Sequence, residues 1–153
     1  MTAAGRLAEL GLTLPPVVAP AGAYVPAVRT GQFVYTAGQL PVVDGKLSAT
    51  GKVGAEVSPS DAAGLARTCA LNALAAAAAA AGGLDQIVRI VKVVGFVASA
   101  PGFNAQPQVI NGASDLLVEV FGEDGRHARS AVGVAELPLN APVEVELIAE
   151  VRG

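Results

Sequence analysis

Two neighbouring stretches decide the fold: His127-Ala-Arg-Ser-Ala-Val-Gly-Val-Ala-Glu-Leu-Pro138 and Val143-Glu-Val-Glu-Leu-Ile-Ala-Glu-Val151. Each alternates apolar with polar or small residues, the period of a strand with one buried face. Leu137-Pro-Leu-Asn-Ala-Pro142 between them is rich in turn formers, so the two are expected to form an antiparallel pair. Arg129 stands at the mouth of the first strand. Glu144 and Glu146 share one face of the second, opposite Val143, Val145, Leu147, Ala149 and Val151. Because only 15% of the chain is charged, a guanidinium near a carboxylate at the edge of an apolar hairpin is its most specific chemistry.

Upstream of this pair the elements follow from local signals. Ile87 to Val97 is rich in β-branched residues and apolar on both faces apart from Arg89 and Lys92, the pattern of a central strand covered on one side by helices and on the other by a partner subunit. Pro101-Gly102 turns the chain into a helix with Pro107 near its first turn, Val109, Ile110, Ala113, Leu116, Leu117 and Val120 on its apolar side, and Gly122 and Gly125 at its end. A longer helix precedes it. Ser58 is its N-cap, Pro59 its first residue, and Gly82-Gly83 its terminator. Leu65, Cys69, Ala73 and Ala76 form its sheet-facing stripe, with Leu71 and Leu74 extending the apolar surface. Towards the N-terminus, Tyr24 to Arg29 and Phe33 to Thr36 read as strands joined at Thr30-Gly31-Gln32, and Asp44-Gly45 as a second tight turn, before a loop or edge hairpin over Ser48 to Gly54. Thr2 to Leu10 reads as a short helix capped by Thr2, and Leu14-Pro-Pro-Val-Val-Ala-Pro20 as an extended strap. The order β-β-α-β-α-β-β implies an α+β layer, two helices on one face of a mixed sheet, in one domain over residues 1–153.

Composition narrows the function classes. A net charge of −3 and a pI near 5.0 disfavour nucleic acid as the natural partner, since that binding is driven largely by neutralising phosphates. One cysteine and one histidine leave no disulfide and make a metal site improbable. A mean hydropathy of +0.53 is high, yet no apolar run approaches the ~20 residues of a membrane span; the alanine run Ala73 to Ala81 reads as plain helix. The N-terminus lacks the pattern of a secretory signal, so a cytoplasmic location is expected, with the surplus apolar surface meeting copies of the same chain.

The quoted stretches also resemble the C-terminal signature of the reactive intermediate deaminase family, also called Rid or YjgF-like. Tyr24-Val-Pro-Ala-Val resembles the family's first strand, Thr36-Ala-Gly-Gln-Leu-Pro41 its second, and Val109-Ile-Asn-Gly its second helix. The resemblance runs from about Tyr24 to Val151 and is closest to a longer branch with an N-terminal extension, here residues 1–20. It implies the chorismate-mutase-like fold and a homotrimer in which three sheets form a barrel-like centre, with three clefts between subunits.

Within that resemblance Arg129 matches the family's carboxylate-binding arginine, and a planar guanidinium suits that task because it grips a carboxylate with two parallel hydrogen bonds. Glu144 matches the cleft glutamate, which positions a water or shuttles a proton; on the bare sequence, Glu144 and Glu146 equally fit the exposed face of a hairpin. Tyr24 matches a tyrosine whose hydroxyl reaches the cleft, or else packs a strand with its tip wet. Ala37-Gly38 stands where short members often have Ser-Gly to hold the substrate, Ala131 where many carry cysteine, and Asn111 matches a frequent helix asparagine that otherwise caps a loop. His127 sits beside Gly125-Arg126 and reads as solvated in an exposed turn, and Cys69 as a small core hydrophobe. The activity implied is cofactor-independent hydrolysis of imines or enamines of the 2-aminoacrylate type, with no metal and no nucleotide. The alternatives are a non-catalytic trimer that binds small carboxylates, favoured by the missing serine and cysteine, and the endoribonuclease activity attached to the family, against which stand the acidic balance and an aromatic content of 4%.

Overall fold

In the computed structural model, which describes residues 1–153, five strands form one mixed sheet with two long helices packed on one face. The chain runs α1 (Ala3–Glu9), β1 (Ala27–Thr30), β2 (Phe33–Thr36), a small hairpin of β3 (Val42–Val43) and β4 (Lys46–Leu47), α2 (Pro59–Ala81), β5 (Ile87–Ala98), α3 (Gln106–Phe121), β6 (Ala128–Val134) and β7 (Val143–Val151). Local chemistry sets the ends. Thr2 Oγ1 accepts from the Gly5 amide at 3.0 Å, and Ser58 Oγ from the Asp61 amide at 3.1 Å, satisfying amides that have no partner inside their helices. Gly82, at φ 91°, closes α2 in the left-handed conformation a glycine adopts without strain. β1 begins three residues later than expected, because Pro26 has no N–H to give the ladder and Tyr24 therefore lies outside the strand.

The sheet order is β1-β2-β7-β5-β6, antiparallel throughout except for the parallel pair β5–β6. The expected antiparallel pairing of the two C-terminal stretches does not form. β5 lies between β6 and β7, and residues 135–142 step across it through a turn in which Leu139 and Asn140 take positive φ. Alternation told which face each strand buries; it carries no information about which strand lies alongside.

Register then assigns the faces. Val93 is paired with Leu147 on one side and Arg129 on the other, Gly95 with Val145 and Ala131, and Val97 with Val143 and Gly133. These residues face the helices, where Val143, Val145, Leu147, Ala149 and Val151 are buried. Glu144 pairs with Phe96 and Glu146 with Val94, so both glutamates point to the face without helices. Val28, Phe33, Tyr35 and Val132 remain exposed there or along its edges.

α2 is long and apolar enough to cross a membrane by length and composition, but most of it is buried within the fold. It is covered by the sheet and by α3, and the strap's Leu14 and Pro15 border a shallow groove with Ala75, Ala78 and Ala79. Leu65 and Leu71, expected on its buried face, are only partly covered, and the closest packing runs through alanines such as Ala62, Ala66 and Ala73. Small side chains let α3 approach so closely that a Cβ on Gly112 would land on the carbonyl oxygen of Ala63. Gly112→Ala is therefore expected to cost about 1–3 kcal/mol. Gly64→Ala, one residue beyond that carbonyl, meets open space and should gain about 0.5–1 kcal/mol from helix propensity. Urea denaturation of the two variants checks both signs.

Candidate active site

Arg129 lies on the edge strand β6 and reaches towards α3, where its Nη1 donates to Asn111 Oδ1 at 2.7 Å and to Ser114 Oγ at 3.2 Å. Asn111 and Ser114 are three residues apart on α3 and so share a face of the helix. Both hydrogens of Nη1 are thus engaged. Nε and Nη2 make no hydrogen bond or ion pair within the chain, which leaves the edge of the guanidinium that binds a carboxylate through two parallel bonds.

His127 belongs to the same cluster and is half-buried, not solvated as its flanking sequence suggested. Its Nδ1 lies 2.6 Å from the Gly125 carbonyl and its Nε2 2.9 Å from Ser114 Oγ. Gly125 is required there, since a Cβ would run into the backbone of Leu117 and Val118 and push the turn off α3. Burial holds the imidazole below its usual value of 6.5; the Gly125 bond pulls it back up in part, and the nearby Arg129 charge adds to the lowering.

A second group of candidates lies on β7 and in the segments just before β1 and just after β2. Glu144 packs against Gly38, where any side chain would collide with the carboxylate. The close fit is held by a bridge between Gln39 and Val145, whose amides and carbonyls exchange bonds at 2.8 and 3.0 Å. Burial pushes the Glu144 carboxyl above its usual 4.5, and the Glu146 charge adds to the rise. Ala37, beside Gly38, ties this turn to Pro26 through its amide at 2.8 Å. Tyr24 is more exposed than expected, its hydroxyl accepting only from the Ala21 amide at 3.3 Å.

Arg129 and Glu144 do not meet in one chain. They sit on strands separated by β5 and on opposite faces of the sheet. The structure joins Arg129 with Asn111, and Glu144 with Gly38, as two separate clusters; Tyr24 lies at the β1 edge, the far side of the sheet from Arg129. Ala131 faces the helices two residues along from Arg129 and packs against the core. Cys69 is fully buried, burial and then the Glu144 charge push its thiol well up, and Sγ lies 3.7 Å from the Val143 carbonyl. No three His, Cys, Asp or Glu side chains gather as metal ligands. A groove of about 630 Å³ lies elsewhere, between the strap, the β3–β4 turn and α2. Ser114 and His127 are the members of the arginine cluster that the sequence reading missed; the three-residue spacing of Asn111 and Ser114 was the one available signal.

These shifts have opposite consequences for stability. As pH falls below 6.5 the unfolded chain protonates its histidine before the folded one does, so the fold loses stability down to the lowered value of His127. For Glu144 the folded state holds its proton longer, so the associated stability is full below 4.5 and is lost as pH rises through the raised value. Thermal melts between pH 4 and 8 should accordingly show Glu144→Gln more stable than wild type at pH 7, with the gap closing towards pH 4. In the same series His127→Gln should remove part of the decline below pH 6.5.

Residues 4–151 match the family model described as "YjgF/chorismate_mutase-like, putative endoribonuclease". Protein TCP17 of Trypanosoma cruzi is 46% identical over 150 residues, covering 97% of this chain and 94% of that protein. The crystal structure of Atu1372 from Agrobacterium tumefaciens, a protein of unknown function, superposes with a TM-score of 0.91 at 49% identity, covering 98% of this chain and 92% of the other. TdcF of E. coli, solved with bound serine, superposes with a TM-score of 0.61 at 29% identity over 92% of this chain and 94% of its own. The sheet, the two helices on one face and the match over nearly the whole sequence make this chain a member of the YjgF/chorismate-mutase-like family.

Proposed function

We propose that the protein is a cofactor-independent deaminase that hydrolyses small amino-acid-derived imines and enamines of the 2-aminoacrylate type to 2-keto acids and ammonia. The observation that carries this reading is the free Nε–Nη2 edge of Arg129, held in place by Asn111 and Ser114. Such an edge takes a substrate carboxylate in a fixed orientation. The serine bound by TdcF is a ligand of the same kind, a small amino acid with a carboxylate.

The chemistry asks little beyond placement. An enamine first takes a proton at carbon to become the imine; water then adds to the imine carbon, the nitrogen takes up a proton, and the C–N bond breaks to release ammonia and leave the carbonyl. Glu144, whose carboxyl is raised above its usual value by burial and by the Glu146 charge, suits the handling of protons and water in these steps. The imine carbon is already electrophilic, so orientation and charge supply the rate.

A site with both Arg129 and Glu144 requires a second copy of the chain, because one copy holds them on opposite faces of its sheet. A closed homotrimer meets that requirement. Each cleft then takes the arginine cluster from one subunit and Glu144 with Gly38 from the next, while the apolar open face is covered. A carboxylate-binding role without turnover is the second reading, favoured by Ala37 and Ala131 in place of a hydroxyl and a thiol.

Imines generated from several amino acids by an oxidase and trapped with semicarbazide separate the two. Wild type should deplete the trapped imine, and Arg129→Ala should lower kcat/KM roughly a hundredfold, the loss of a charge-assisted pair of bonds worth about 3 kcal/mol. Equal trapping with no protein, wild type and variant, in folded trimer, transfers the assignment to binding. Subunit mixing tests the shared cleft: reassembling equal amounts of inactive Arg129→Ala and Glu144→Gln chains should restore about a quarter of wild-type activity, since one cleft in four draws both native residues. No recovery after verified exchange refutes sharing.

A further inference from the structure

Ser114 and His127 have no part in the reaction just described, yet they form a chain of hydrogen bonds whose direction is set at every step. The Gly125 carbonyl can only accept, so the Nδ1 that lies 2.6 Å from it carries the imidazole proton. Half-burial and the neighbouring guanidinium keep the ring neutral, and Nε2 is then a bare acceptor. Ser114 Oγ, 2.9 Å away, therefore donates its hydrogen to Nε2. Its lone pairs are left for the N–H of Arg129 at 3.2 Å. A serine without this histidine could turn its hydrogen towards the guanidinium and lose the contact; with it, the rotor has one setting.

We propose that Ser114 and His127 are positioning residues: through Gly125, they hold one side of Arg129 so that its Nε–Nη2 edge faces the carboxylate of the bound substrate. The inference rests on Arg129 being the carboxylate clamp. It adds that the clamp's aim is set from three separate places, the turn after α3, the face of α3 and the start of β6. Asn111 fixes the other hydrogen of Nη1, so the guanidinium is pinned by two oxygens on one helix face and only the second of them is itself oriented. Mid-helix serine weakens a helix slightly relative to alanine, so alanine would suit α3 better at position 114 and the hydroxyl is used in contacts beyond the helix.

The test uses calorimetric titration with 2-ketobutyrate, together with imine turnover, on wild type, Ser114→Ala, His127→Leu, His127→Gln and Arg129→Ala. Ser114→Ala and His127→Leu should each raise Kd and KM roughly fivefold, the worth of one hydrogen bond, while kcat changes little. His127→Gln should stay within about twofold of wild type, because a glutamine carbonyl can accept from Ser114 where Nε2 does. The neutral amide of the same acid should bind all five proteins alike. If Arg129→Ala loses 2-ketobutyrate but Ser114→Ala and His127→Leu, folded and of wild-type assembly, keep wild-type Kd and KM, the positioning role is overturned and the clamp stands. If Arg129→Ala binds the acid as wild type does, the clamp itself fails and the present inference goes with it. Should His127→Leu not fold, Ser114→Ala decides alone, since it removes the same bond from Arg129 and favours the helix.

Discussion

The antiparallel pairing of β5 with β7 is the constraint on which the rest of the structure depends. Along it, Val93, Gly95 and Val97 sit opposite Leu147, Val145 and Val143, and this buried strip is what α2 and α3 cover. Because side chains alternate, setting Val143, Val145, Leu147, Ala149 and Val151 of β7 towards the helices sends Glu144, Glu146 and Glu150 the other way. A slip of one residue would turn three carboxylates into the core, which costs far more than any lost packing. The glutamates therefore lock the register as well as serving the open face. Gly95 completes the contact, since a Cβ there would run into Ile110 and hold α3 away from the strand.

The same alternation separates the chemistry. Arg129 inherits the helix-facing side from its partner Val93, and Glu144 the open side from Phe96. No rotamer brings them together across β5. In one chain the arginine stays anchored to α3 at one sheet edge and the carboxylate stays packed on Gly38, which is why the proposed cleft draws them from two copies. The exposed Val28, Phe33, Tyr35 and Val132 give the chain an apolar reason to associate with such a copy.

What was legible in the sequence follows the range of the interaction that encodes it. Caps are local: Ser58, Pro59 and Gly82 mark α2 to the residue, and Thr2 marks α1. Strand existence is local too, but partnership is not, and β6 and β7 carried the same alternation whether adjacent or separated by β5. In β5 the buried residues Ile87, Ile90 and Val93 are three apart where bulges interrupt the ladder, so its period was hidden and it read as apolar on both faces. The site divides in the same way. Arg129, Glu144, Gly38 and Asn111 stand in recognisable motifs, whereas the meeting of Ser114 with His127 depends on how α3 lies over the turn that follows it. His127 misled because Gly125-Arg126 has the composition of an exposed turn, while the packing of Gly125 on Leu117 draws that turn inward.

Glu144 shows why such a site is not optimised for folding. Desolvation and the charge of Glu146 both oppose its ionisation, and Gly38 gives up a side chain to make room for it. A glutamine would fill the same space with no charge to desolvate, so the carboxylate is a burden to the isolated fold at neutral pH. A carboxyl that burial and a like charge raise above its usual value, and that opposes folding at neutral pH, fits the proposed use of Glu144 in handling protons and water. Arg129 is the converse case. Its anchors cost the fold little, since Asn111 and Ser114 lie on an accessible helix face, and what they supply is orientation. Under the proposed function, one cluster contributes a carboxyl raised by burial and the other an aimed cation, the two groups that the proposed imine hydrolysis would use.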